Sequence, residues 1–287
     1  MLTLSEQWLV GLKTLERLRP SLRSRHTRRR PDNPGAAGSG ISGEGPYRAT
    51  LSTLSLQAVL ERARPFSPGA VVLGMCEDGL PFLLDLTNPA PGAILIGGDP
   101  GVGKSRLLRS ILASAALANP IERVVFTVLA QNPDEFLDLA QFAHCQEVLA
   151  ANDPAAEGVV WDLAETVEAR RRGRHAGPAM ILAIDNLAAY LQFSAEEISR
   201  QLLKIIRHGP RYQVWTFAAL PSQDFACLDD HFLVSFRTHL VGKIESPDLL
   251  LAFSGDARPG VPDLDDRDQF STFFGDSWIR FWSCDPD

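Results

Sequence analysis

The sequence predicts an α/β fold, a mostly parallel sheet covered by helices on both faces. Continuous apolar runs without polar alternation, such as AILIG (93–97) and AMILAID (179–185), indicate strands that are buried on both sides. Longer runs with helical periodicity separate these strands, and that order is typical of parallel sheets. The chain of 287 residues is 45% hydrophobic and 22% charged, a balance that excludes wholesale disorder.

The elements follow from these patterns in chain order. Helices are predicted over residues 54–63, 105–118, 155–172 and 194–209. Strands are predicted over residues 70–75, 81–86, 93–97, 123–130, 179–185, 213–220 and 237–244. A closing strand is expected to carry Trp278, Phe281 and Trp282, whose rings we interpret as core residues and not as platforms for nucleic-acid bases. The acidic run 256–270 is expected to be a loop.

The N-terminal region differs in composition from the rest of the chain. Residues 1–30 combine an amphipathic helix with a basic arm, residues 31–48 form a flexible linker rich in Gly, Pro and Ser, and residues 49–287 form the domain. The arm holds eight Lys and Arg against two Asp and Glu, a net charge of +6, whereas the remainder holds 20 against 33, a net charge of −13. The arm is a candidate contact for nucleic acid, an acidic membrane surface or a protein partner, with a solvated tail as the alternative.

Several classes of protein are excluded by simple observations. No apolar run approaches the roughly 18 residues of a membrane span, and the N-terminus lacks the solid apolar block of a secretory signal. The four cysteines stand far apart with no C-x-x-C pair, so we expect structural thiols and no zinc site. We therefore expect a cytoplasmic protein without a transmembrane segment.

A phosphate-binding loop is the most specific motif of the chain. The segment Gly98-Asp99-Pro100-Gly101-Val102-Gly103-Lys104-Ser105 satisfies G-x-x-x-x-G-K-[ST] between a buried strand and a helical run that continues with Arg106. The glycines allow the main-chain amides to approach phosphate oxygens, and the helix adds the positive end of its dipole. We predict that Lys104 contacts the β- and γ-phosphates of ATP and that Ser105 ligates Mg²⁺.

A second acidic element is expected from Asp185, which ends the buried run AMILAID. We predict that this strand lies beside the strand of the phosphate loop and that Asp185 holds the water shell of the magnesium ion. The alternative is a structural role, in which Asp185 caps a helix that begins near Leu187.

Six segments follow one another along residues 70–282: PFLLDLTNPAPGAILIGGDPGVGKS, VVFTVLAQNPDEFLDL, AETVEARRR, ILAIDNLAAYL, FAALPSQD and GKIESPDLLLAFSGDA. In this order they resemble the motifs of the motor domain of FtsK/HerA-type ATPases, a hexameric DNA-pumping branch of the RecA-like P-loop NTPases. The resemblance implies a RecA-like fold, ATP and Mg²⁺ as cofactors, assembly into a homo-oligomeric ring, and double-stranded DNA as a partner.

The chain departs from this family where the family hydrolyses ATP. Asn186 occupies the position of the acidic residue that polarises the attacking water, and an amide cannot act as a base at neutral pH. The family's sensing Gln aligns with Ala219, although Gln223 lies four residues further on. We therefore hypothesise a degenerate ATPase that binds Mg-ATP and hydrolyses it slowly or not at all.

Two other functions remain open at this stage. One is an ATP-gated switch or scaffold that binds a protein partner without moving DNA, and the other is a small-molecule kinase, which is disfavoured because no acceptor-site base or Arg-rich lid is evident. An arginine finger, which a ring assembly would place in a neighbour's site, has as candidates Arg170, Arg171, Arg207, Arg211 and Arg237.

Overall fold

The computed structural model describes residues 54–174, 176–254, 263–265, 267–274 and 277–286. The predicted arm and linker, residues 1–48, lie outside the described residues. The described helices are α1 (Leu56–Ala63), α2 (Lys104–Ala118), α3 (Pro154–Arg171), α4 (Leu187–Phe193), α5 (Glu196–His208), α6 (Asp230–Leu233) and α7 (Pro247–Ser254). Short 3₁₀ helices cover Pro133–Gln141, Gly209–Tyr212 and Ser222–Cys227.

Ten strands of the described residues form one mixed sheet. They are β1 (Ala70–Cys76), β2 (Pro81–Asp85), β3 (Ile94–Gly98), β4 (Val124–Ala130), β5 (Cys145–Ala150), β6 (Ala179–Asp185), β7 (Val214–Pro221), β8 (Thr238–Val241), β9 (Gln269–Phe274) and β10 (Ser277–Trp282). Their order is β2-β1-β10-β9-β8-β3-β7-β6-β4-β5. The six strands from β8 to β5 pair in parallel, whereas the flank from β2 to β9 is antiparallel and joins β8 through an antiparallel pair.

The parallel half is buried on both faces, as its apolar runs predict. Every residue of β3 and β4 is buried. Side chains that alternate along a strand point to opposite faces, so Leu182 and Ile184 of β6 face one layer while Ile181 and Ala183 face the other. The first layer contains α3 and α5, whose apolar stripes share a core cluster with Leu182 and Ile184. Helix α2 packs on the sheet with its own buried stripe, which includes Leu108 and Leu112.

Local sequence explains where the helices begin. The carboxylate of Asp153 accepts a hydrogen bond from the N–H of Ala155, and Pro154 occupies the first position of α3, where a missing N–H costs nothing. Helix α5 begins with Glu196 and Glu197 and ends with Arg207 and His208, charges that complement the helix dipole at each end.

Most predicted helices and strands are confirmed, with ends within one or two residues of the predicted ones. Between β4 and α3, however, the structure has two elements that the sequence did not predict. They are the 3₁₀ helix Pro133–Gln141 and strand β5, which no apolar run predicts because the strand exposes residues such as Glu147 at the sheet edge. The closing strand is confirmed as β10, where Phe281 is fully buried. The run 256–270 was predicted to be a loop, yet its last two residues already belong to β9, because Phe270 is buried in the sheet.

Helix α7 packs directly over the strand that leads into the phosphate loop. The ring of Phe253 covers Gly97, where a Cβ atom would lie 2.3 Å from the ring, so only glycine fits beneath it. Phe253 also stacks on Phe225 at 4.7 Å between ring centroids. Within the described part of the chain, no helix combines the length and apolar character that a membrane crossing requires.

Candidate nucleotide-binding site

The phosphate loop connects β3 to α2 at the carboxyl edge of the parallel strands. Gly101 and Gly103 adopt φ values of +86° and +97°, in the left-handed region that glycine tolerates best. A Cβ atom on Gly103 would lie 2.5 Å from Oδ1 of Asp268, so glycine is required there for space as well. Val102 is buried between these glycines, and Pro100 is exposed. The loop therefore has the backbone shape that its motif predicts.

The Lys104 side chain is buried within the curve of the loop. Its ammonium group donates hydrogen bonds to the carbonyl oxygens of Gly98 at 3.0 Å and Asp99 at 2.8 Å. Burial lowers the pKa of Lys104, and the nearby carboxylates of Asp185, Asp99 and Asp224 oppose that shift. The cation thus lies where a phosphate-loop lysine meets the β- and γ-phosphates.

Asp185 lies next to the first turn of α2. Its Oδ1 accepts a hydrogen bond from the Ser105 hydroxyl at 2.8 Å. Burial raises the pKa of Asp185, with a further contribution from Glu135, while the Ser105 hydrogen bond and Lys104 counteract it. A hydroxyl and a carboxylate that meet beside a phosphate loop are hard oxygen donors of the kind Mg²⁺ prefers, so these two residues fit a magnesium ion.

The structure corrects two sequence-based expectations about Asp185. Its strand β6 does not lie beside β3, because β7 is inserted between them. The contact with Ser105 forms nonetheless, since α2 reaches across β7 from the end of β3. The capping alternative is wrong as well: Asn186, and not Asp185, caps the helix that follows, by accepting a hydrogen bond from the N–H of Ala189 at 3.1 Å.

Asn186 is held in place by three features. It adopts a left-handed backbone conformation with φ of +72°, which Asn tolerates better than most residues. Its Oδ1 caps α4, and its Nδ2 donates to Oε1 of Gln131 at 3.0 Å. Neither Asn186 nor Gln131 can accept a proton at neutral pH, so neither side chain can act as a general base.

Gln131 was missed by sequence reasoning, although a signal was present. It directly follows β4, just as Asn186 directly follows the neighbouring strand β6. Polar residues after adjacent parallel strands meet at one edge of the sheet. That rule would have paired the two positions.

Asp99 connects the loop to two other segments. One oxygen of its carboxylate accepts from the Ser222 hydroxyl, and the other accepts from the N–H of Glu245 at 2.7 Å. Its own N–H donates to the carbonyl of Lys243 at 2.8 Å. We refer to Asp99, Ser222 and Glu245 as the loop clasp. The motif marks Asp99 only as a variable position, so no sequence pattern indicated this role.

The remaining predicted residues lie in different surroundings. Ala219, at the family's sensing position, is buried inside β7 opposite Ile96 and carries only a methyl group. Gln223 is exposed on the 3₁₀ helix after β7, and its sensing role stays a prediction. Arg106 extends from α2 to Asp268 and Asp285, with N–O distances of 2.8 and 2.7 Å.

The five arginine-finger candidates lie in different surroundings, and the role stays a prediction for each. Arg211 is exposed on the 3₁₀ helix Gly209–Tyr212. Arg170 donates to the carbonyls of Tyr212 and Pro178, so its guanidinium contacts the protein's own backbone. Arg171 pairs with Glu168 on the surface of α3. Arg207 donates to Ser235. Arg237 covers Gly92 before β3, at the sheet edge opposite the loop.

A comparison with known proteins matches the part of the chain that bears the phosphate loop to a protein family. The sequence profile of the FtsK/SpoIIIE family matches residues 56–173, from α1 to just beyond α3. The match includes the phosphate loop and ends before the strand that carries Asp185.

One relative is a secretion system protein, and the similar solved structures include EssC and EccC. The ESX-5 secretion system protein EccC5 of Mycobacterium marinum is 26% identical over 175 residues, which cover 52% of this chain but only 12% of that protein. EssC (ATPases 2 and 3) from Geobacillus thermodenitrificans superposes with a TM-score of 0.65 at 16% identity, covering 82% of this chain and 47% of that one. Thermomonospora curvata EccC (ATPases 2 and 3), solved in complex with a signal sequence peptide, gives 0.63 at 19% identity, covering 81% and 43%.

The structural matches establish the fold, which is RecA-like, as the resemblance implied. The profile match adds the family to which the loop-bearing region corresponds. Residues 56–173, which include the phosphate loop, therefore correspond to the FtsK/SpoIIIE family, and the described domain has the fold of P-loop ATPases.

Proposed function

We propose that this domain binds Mg-ATP at the phosphate loop. The observation that carries the proposal is the contact between the Ser105 hydroxyl and Asp185, beside a loop that already encloses the Lys104 ammonium. The loop amides and Lys104 would hold the phosphates, and Ser105 with Asp185 would hold Mg²⁺, which neutralises phosphate charge when bound. Each of these groups belongs to the chain itself.

We further propose that hydrolysis is slow or absent. The Gln131–Asn186 amide pair occupies the corner where a base would orient the attacking water, and its hydrogen-bonding atoms are engaged with each other and with α4. A general base contributes about 10²- to 10⁴-fold to a rate, so its loss leaves binding intact and removes most turnover.

The test is a calorimetric titration with Mg-ATP, combined with a phosphate-release assay with and without duplex DNA. We expect saturable binding and turnover well below the roughly 1 s⁻¹ of ordinary enzymes, and stimulation by DNA would favour a DNA motor over a switch. Asn186→Glu should raise turnover, and Asn186→Gln should not, because it lengthens the side chain without adding a base. No heat with Mg-ATP would overturn the binding proposal. Wild-type turnover of about 1 s⁻¹ or more would overturn the proposed loss of hydrolysis.

The second candidate function is an ATP-gated switch that binds a protein partner. Two observations favour it: EccC, a protein of the same fold, was solved with a signal sequence peptide, and this domain has an open groove of about 470 Å³ between α3 and α5. The groove has an apolar floor of Ala164, Val167 and Ile205 and an indole wall from Trp161, which is 42% exposed. Lys204, His208 and Arg211 line it as well, and its two acidic residues already have partners within the domain, since Glu168 pairs with Arg171 and Glu165 accepts from the indole N–H of Trp161. We propose as its occupant an apolar peptide segment that also carries acidic residues.

A random peptide library tests this second function. Panning against the domain, with and without a non-hydrolysable ATP analogue, should enrich apolar peptides with acidic residues. Their binding should fall with Trp161→Ala or Lys204→Glu and should depend on the analogue. Trp215→Phe is not a suitable control because Trp215 is fully buried, so Arg200→Glu on the exposed side of α5 serves instead. Enriched peptides that bind all variants equally would contradict the groove assignment.

Three other expectations remain proposals. Double-stranded DNA as a partner gains no support from the secretion-system relatives, and the DNA arm of the turnover assay tests it. Assembly into a ring is tested by light scattering with and without Mg-ATP. A cytoplasmic location agrees with a site for ATP, and fractionation of cells that express the tagged protein tests it.

A further inference from the structure

The order of the strands on the two sides of β3 indicates how a bound triphosphate would be oriented across the sheet. The Ser105–Asp185 contact lies on the β7/β6 side of the loop strand, so the metal and the γ-phosphate belong on that side. The opposite neighbours of β3 are β8 and then β9. A nucleoside bound on the side of the triphosphate away from the metal would therefore lie toward the start of α2 and the β9 side.

Arg106 extends toward that same side. Its two terminal nitrogens donate to Asp268, just before β9, and to Asp285, after β10. Hydrogen bonds to a guanidinium lie in its plane, so two carboxylates at its two ends fix the orientation of the plane and leave both faces free. The Arg106 side chain is 39% exposed, so part of it is open to solvent.

The Asp268 segment is itself tied to the phosphate loop. The N–H of Asp268 donates to the carbonyl of Val102 at 3.0 Å, and the carboxylate packs against Gly103. Asp268 adopts φ of +61°, an uncommon conformation for a residue other than glycine. The C-terminal hairpin β9–β10 therefore contributes a wall to the nucleotide site as well as strands to the sheet.

We propose that the Arg106 guanidinium is the platform on which the purine base of the nucleotide stacks, with Asp268 and Asp285 as positioning residues. The inference rests on the proposed binding of Mg-ATP and adds a nucleoside subsite to it. Arginine stacks on aromatic faces through its planar, delocalised cation, whereas the compact ammonium of lysine cannot stack in this way.

The experiment compares two ligands that differ only in the nucleoside. ATP and inorganic tripolyphosphate are titrated, each with Mg²⁺, into the full chain and into Arg106→Lys, which keeps the charge and removes the plane. We expect ATP affinity to fall about tenfold and tripolyphosphate affinity to change less than about twofold. Arg109→Lys, one turn along α2 and paired with Asp138, is the matched control and should leave both ligands within about twofold.

The roles of Asp268 and Asp285 are tested by the ratio of the affinity for ATP to the affinity for tripolyphosphate. Asp268→Asn and Asp285→Asn should each lower ATP affinity about threefold relative to tripolyphosphate, because the guanidinium plane loses one of its two anchors. An ATP-to-tripolyphosphate ratio that is unchanged in Arg106→Lys, or that falls equally in Arg109→Lys, overturns the stacking platform. If the wild-type chain binds neither ligand, the proposed function itself fails, which is a separate outcome.

Discussion

The two ends of the candidate site differ in how their polar groups are satisfied. The end of the site that contains the phosphate loop, here called the phosphate end, is charged. The ammonium group of Lys104 contacts a main-chain carbonyl, and the Ser105 hydroxyl contacts the carboxylate of Asp185. The other end, here called the water end, is where we propose that a base would orient the attacking water. Its residues Asn186 and Gln131 are both neutral; they contact each other, and Asn186 also caps the start of α4. The first arrangement costs burial of charge, and the second stabilises the fold. This contrast is the basis of our proposal that the site binds ATP and hydrolyses it slowly or not at all.

Removal of the Lys104 charge should have the largest effect and tests the phosphate end directly. Lys104→Ala should weaken ATP binding at least about 100-fold, because charge-assisted hydrogen bonds to phosphate are lost. Calorimetry measures the change, and Lys204→Ala on the exposed surface of α5 is the control with the same substitution. Equal affinities for the two variants would show that the loop does not hold the phosphates.

Substitution of Asp185 should separate metal binding from phosphate binding. Asp185→Asn should reduce the gain in ATP affinity that Mg²⁺ provides by about 10- to 100-fold, the usual range for a carboxylate that supports a metal site. ATP affinity measured in EDTA should stay the same. A loss that is equal with and without Mg²⁺ would assign Asp185 a structural role.

The cap formed by Asn186 predicts an effect on stability at the water end. Asn186→Ala should lower the free energy of unfolding by about 1–2 kcal/mol, because both the cap of α4 and a residue suited to positive φ are lost. Asn186→Gly relieves the backbone and should cost only about a few tenths of a kcal/mol. Urea unfolding measures both, and an Ala variant as stable as the Gly variant would contradict this account.

The raised pKa of Asp185 predicts a smaller dependence on pH. Because burial raises this pKa in the folded state, the ionised form is disfavoured, and the contribution of Asp185 to stability is greatest in acid and falls as the pH rises through the folded value. As the pH rises from about 4 to 7, the free energy of unfolding of Asp185→Asn should therefore increase relative to that of the wild type. Parallel urea curves for the two proteins at each pH would contradict the shift.

Sequence reasoning predicted the parts of the site that are local in the chain. The phosphate loop needs only eight consecutive residues, and Asp185 follows from one apolar strand, so both were available from pattern alone. The loop clasp joins Asp99 to Glu245, and the platform joins Arg106 to Asp285, contacts between residues 146 and 179 positions apart. Such contacts depend on the order of the strands in the sheet. That order results from the pairing of all ten strands and cannot be read from any single segment of the sequence.

The glycine beneath Phe253 has a consequence for how the domain transmits movement. Gly97 lies two residues before the loop begins to turn, and it has no side chain. The ring of Phe253 on α7 therefore packs directly against the main chain of β3. A shift of the β3 terminus must then be accompanied by a shift of α7 or by an opened void. We therefore expect helix α7 to move together with the end of β3.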